Sequence, residues 1–155
     1  MSLRAEDGLW LLLTAATNVS GIIATRLFAV GNVPSAVAKL KGSSPYGVVQ
    51  VISNTHTHDC SGAVGIATAA VQVKWYCETE LGLQSLMDAS RLATDGYSGT
   101  VTQGSESIKV FSCLLENEID VTQMPDDGSE FGSPSGLQEW MIAYQESTPS
   151  FDEEE

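Results

Sequence analysis

The chain has 155 residues, 43% of them hydrophobic, and carries 20 acidic against 7 basic side chains, a formal net charge of −13. That length and apolar content suit one domain with its own core and exclude a wholly disordered chain. The charge repels phosphates and anionic lipid, which argues against a nucleic-acid grip or a membrane-docking surface.

Part of the acidic excess is local. Asp152, Glu153, Glu154 and Glu155 close the chain, so residues 149–155 read as an acidic disordered tail after a single domain over 1–148. The three cysteines, Cys60, Cys77 and Cys113, are odd in number and lack Cys-x-x-Cys spacing, which fits free thiols in a reducing cytoplasm.

At the N-terminus the apolar run LWLLLTAA follows Glu6 and Asp7, where a signal peptide needs positive charge. Thr14, Thr17, Asn18 and Ser20 also make it too short to span a bilayer. Leu9, Leu12, Leu13 and Ala16 fall on one face of a helix, with the two acidic residues at its positive end and Asn18–Gly21 stopping it. A short strand over 24–30 and a loop of small residues over 35–45 come next. YGVVQVIS, residues 46–53, is a β-branched strand directly after Pro45. A second strand, 66–77, alternates Val71, Val73 and Trp75 against Gln72, Lys74 and Tyr76, so the two form an antiparallel hairpin with a long loop.

Thr79 caps a second helix with Leu83, Leu86, Met87 and Ser90 on one stripe, and Gly96 falls at its end. The segment SGTVTQGSES, 98–107, lacks the lysine and the strand-to-helix context of a phosphate cradle. A long strand over 107–121 carries Phe111, Cys113, Leu115, Ile119 and Val121 on one face and Glu116, Glu118 and Asp120 on the other. A polar loop, 122–136, leads to a last strand, 139–147. The expected fold is α+β: two helices packed on one face of a mainly antiparallel four- to five-stranded sheet, with Trp75 and Phe111 on neighbouring strands facing the Leu83, Leu86 and Met87 stripe.

The hairpin loop, NTHTHDCSG, gathers two histidines, an aspartate and a cysteine. His56 and His58, two apart on a strand, point to one side and could begin a zinc or copper site in a small metal- or ligand-binding domain. They are the only histidines, and no metal-type spacing completes the set, so the stretch reads as a strand end entering a turn made by Asp59, Ser61 and Gly62. Cys60 follows Asp59 into the turn that ends the strand, so it reads as no nucleophile pair with His58, while Asp126 and Asp127 sit in a turn-forming loop. No catalytic residue, metal or cofactor is indicated.

The order of phrases carries a resemblance. ATRLFAVGNVP, SPYGVVQVIS, AAVQVKWYC, a helix closing on ATDGYSGTV, VFSCLLENEIDV and EWMIAYQE, over residues 5–147, resemble the tail completion (tail terminator, tail-to-head joining) proteins of long-tailed bacteriophages. The resemblance implies a structural, non-enzymatic virion protein, assembled in the host cytoplasm. Such a subunit closes into a ring, usually of six copies, that caps the tail tube and joins tail to head. Its partners would be further copies of itself, the tail tube protein and a head-completion or connector protein, with DNA passing through unbound; a neighbouring neck or tube subunit is the nearest variant. Segment 31–45, with Lys39 and Lys41, is longer than that pattern. Glu116, Glu118 and Asp120 are then a candidate lumen or intersubunit face, and Asp126, Asp127, Glu130 and Phe131 a candidate interface loop.

Overall fold

In a computed structural model, described over residues 3–24, 26–31, 33–34, 45–120 and 134–148, the N-terminal apolar run folds as two helices, α1 (Ala5–Ala15) and α2 (Thr17–Ile23). Ala16 between them is extended, and its carbonyl accepts from the N–H groups of Val19 and Ser20, which restarts the helix. Asn18–Gly21 therefore lie inside α2 instead of ending α1. The Asp7 carboxylate accepts from the Arg4 N–H at 3.1 Å and satisfies one of the donors that the first turn of α1 leaves open.

Six strands follow around one further helix: β1 (Leu27–Ala29), β2 (Tyr46–Asp59), β3 (Gly62–Tyr76), α3 (Glu80–Thr94), β4 (Tyr97–Gln103), β5 (Glu106–Asp120) and β6 (Ser135–Gln145). They form one sheet in the order β1-β2-β3-β6-β5-β4, antiparallel throughout except for the parallel pair β1 and β2. The expected two helices on a four- to five-stranded sheet are thus corrected to three helices on a mixed six-stranded one. The strand that pattern reading passes over is β4. Its glycine and serine content resembles a loop, yet Thr100, Val101 and Thr102 pair with Lys109, Ile108 and Ser107, and Gly104, at φ +62°, makes the turn between the two strands. Likewise β2 and β3 run through the histidine stretch and are joined by Cys60 and Ser61 alone, so the hairpin loop is short.

The three helices touch one another, and α1 reaches β2, β3, β4 and β5. Since β2 and β4 lie near opposite flanks of the sheet, the sheet curls around α1 as a half-barrel with the helices in its mouth. Leu9, Leu13, Val19, Ile23, Leu83 and Leu86 are buried there against Val71, Val73, Trp75, Trp140 and Ile142. Burying about ten such side chains at roughly 1.5–3 kcal/mol each is the main favourable term. Gly47 is required by this packing, because a Cβ on it would lie 2.5 Å from the Trp75 ring and 2.8 Å from Leu27.

Bulges decide which side chains enter this core. One extra residue sits in β2 at Ile52 and one each in β5 at Phe111 and Glu116, as the register jumps there show. Phe111 is therefore 41% exposed, under the Lys109 ammonium, and does not face the Leu83–Met87 stripe. Nor do Trp75 and Phe111 lie on neighbouring strands, because β6 separates β3 from β5. Trp75 does face the helices, fully buried.

Candidate functional site

Past the Ile52 bulge, Asn54 and His56 pair with Ala69 and Ala67, both buried, and so turn toward the helix side of the sheet. The Asn54 amide and the Tyr144 hydroxyl bond each other at 2.8 Å, and His56 Nδ1 lies 2.6 Å from Glu146 Oε2 just beyond β6. These contacts clamp the outer half of the hairpin across β3. At its tip Asp59 Oδ1 accepts from the Ser61 hydroxyl at 2.7 Å and the Ser61 N–H at 2.8 Å, an aspartate turn. The Ser61 hydroxyl, then its N–H, hold the Asp59 carboxyl below the usual carboxylate range. No group of three or more His, Cys, Asp or Glu placed to hold a metal ion occurs among the described residues. His56 is engaged with a carboxylate, and His58, opposite Ala63 across a second register jump, lies further out.

The acidic strand end also rearranges. Leu115 pairs with Trp140 on the core side, and the bulge at Glu116 shifts the phase, so Glu118 pairs with buried Gln138 and Asp120 with Gly136. Glu118 and Asp120 therefore share the helix side with Leu115, while Ile119 turns to the other face at 40% exposed. The three acids are not a single stripe opposite Leu115. Glu118 accepts from Gln138 Nε2 at 2.9 Å, and Gln138 in turn binds the Met87 carbonyl, the Trp75 indole N–H and the Ser90 hydroxyl. A groove of about 400 Å³ between α3 and β5, lined by Leu83, Met87, Asp88, Glu118 and Asp120, is negative on both sides. Asp126, Asp127, Glu130 and Phe131 lie outside the described residues, as do most of 31–45 and 122–136.

What pattern reading missed is the state of the sheet's flanks. β1 covers β2 only along Gly47–Val49, the last bond being from the Val30 N–H to the Val49 carbonyl at 3.0 Å. From Gln50 to Asp59 that flank has no backbone partner among the described residues, and every residue from Ile52 to Asp59 is exposed. On the opposite flank, β4 pairs with β5 and, among the described residues, has no strand on its other side. β5 emerges beyond β4 over Leu114–Asp120, where the Asp95 carboxylate binds the Leu115 N–H at 2.9 Å. The one signal in the sequence was the Thr-Val-Thr run before Gly104, followed by the longer strand β5. Compared with protein-family models and with curated proteins, the chain matches none of them.

Proposed function

We propose that the chain is a structural virion protein of a long-tailed bacteriophage, a terminator subunit that closes into a ring on the tail tube and joins tail to head. The observation that carries this reading is that, among the described residues, two flanks of the sheet have no strand beside them, β2 beyond β1 on one side and β4 on the other. Two different open surfaces on opposite sides of one subunit suit head-to-tail association, which closes into a ring when the rotation between copies divides the circle. The resemblance in phrase order supports the same reading, since its phrases fall on elements: LFA on β1, YGVVQV on β2, VQVKWY on β3, DGYSGT at the α3–β4 junction and EWMIAYQ on β6. The charge of −13 favours a ring that DNA traverses without sticking. In this reading the partners are further copies of the chain, the tail tube protein and a head-completion protein, and the role involves no catalysis.

The test is localisation. A tagged copy supplied during infection by the parent phage, then gold-labelled and viewed by electron microscopy, should mark the junction between head and tail. Label along the whole tail would make it a tube subunit, and label absent from particles would end the structural reading.

A further inference from the structure

The geometry points to the pairing that joins the copies: strand β2 of one subunit, over Asn54–His58, adds to strand β4, Tyr97–Gln103, of the next, in parallel, making the sheets continuous. This inference rests on the ring reading for closure, while its register comes from the sheet itself. Following the hydrogen-bonded registers, Tyr97, Cys113, Ile142, Ala69 and Asn54 occupy one row across the sheet. Gly99, Val110, Tyr144, Ala67 and His56 occupy the next. The two open strands therefore stand at the same height on opposite flanks. They also run the same way, because β4 and β2 are an even number of antiparallel steps apart. A rotation about an axis along the strands preserves height and direction, so it carries β4 of one copy beside β2 of its neighbour without any sliding.

Side-chain chemistry separates this pair from the other open edge. Natural sheets protect exposed edges with charge, proline or cover, because a bare edge recruits another strand. Asn54–His58 and Tyr97–Gln103 contain no acidic residue, lysine, arginine or proline, in a chain with 20 acidic residues. They are rich in threonine and serine, which suit a half-exposed sheet. By contrast the open part of β5 carries Glu116 and Glu118, with Glu116 in a bulge, two of the devices that keep an edge unpaired. The acidic strand end is then the guard on the edge that must stay open, and the unguarded edges are the joint.

Thr57 and Thr100 lie one residue past the His56–Gly99 row, both exposed and both on the helix-free face. Paired strands stand ~4.8 Å apart, within the usual range of Cα separations for a disulfide. In a Cys60→Ser background, which removes the exposed tip thiol, the double variant Thr57→Cys, Thr100→Cys should give on mild oxidation a ladder of covalent multimers ending at the ring's copy number. The two single variants should give none. A dimer from Thr57→Cys alone would mean that β2 pairs with β2 of another copy, which overturns the proposal. Rings by native mass spectrometry without a ladder would overturn the pairing and leave the ring reading standing. Monomer at every concentration up to millimolar, again with no ladder, would overturn both.

Discussion

Gln138 is fully buried, yet all four of its side-chain hydrogen-bonding positions are used, by Trp75, Ser90, Met87 and Glu118. A polar group so satisfied stabilises one arrangement of α3, β3, β5 and β6, because any slip strands donors and acceptors away from water. Trp140, on the same strand face and equally buried, has no hydrogen-bond partner for its indole nitrogen among the described residues. The two tryptophans therefore differ in a measurable way. Trp75→Phe and Trp140→Phe remove the same volume, but only the first breaks a hydrogen bond. Chemical denaturation should find Trp75→Phe the more destabilising by about 1–2 kcal/mol; equal losses would show that the Gln138 network contributes little. That Trp75 faces the stripe carrying Met87 and Ser90 was legible in the sequence; that Gln138 joins them was not. Gln138 sits in an alternating strand as any solvent-facing glutamine would, and only the strand order brings it under α3.

At the scale of elements, periodicity identified the hydrophobic cores of β2, β3, β5 and β6 and the capped helix α3, where the Thr79 hydroxyl accepts from the Gly82 N–H at 3.0 Å. It failed where a bulge resets the count. The face carrying Cys113 and Leu115 was legible, but Phe111 and the residues after Glu116 change sides, and no residue type in the sequence announces either bulge. β4 was hidden because an edge strand needs little hydrophobic side chain. Val110, 3% exposed, should cost about 2 kcal/mol when cut to alanine, whereas Phe111→Ala should cost under about 1 kcal/mol despite the larger truncation. Thermal melts of the two variants decide this, and a greater loss for Phe111→Ala would restore it to the core.

For the whole molecule, composition indicated one acidic domain with free thiols, and the structure adds how those thiols respond to pH. Burial, with Asp95 adding to it, pushes the Cys113 thiol up to about 12, and burial with Glu80 pushes Cys77 up to about 11. An unfolded thiol ionises near 8.5. Between that value and the folded ones the unfolded chain releases protons that the folded chain retains, so stability is fully present below about pH 8.5 and falls as pH rises toward 11 and 12. Below that window a thiol reagent should modify Cys60 quickly and the other two only on unfolding; rapid reaction of all three in the native protein would contradict their burial. The flanks proposed to join the copies were the least legible part, since an open edge is defined by the partner it lacks. Head-to-tail closure is the central claim, and native mass spectrometry across a concentration series tests it most directly. The account predicts one closed multimer growing at the expense of monomer, with open intermediates scarce. Monomer throughout, or a dimer that grows no further, would contradict it.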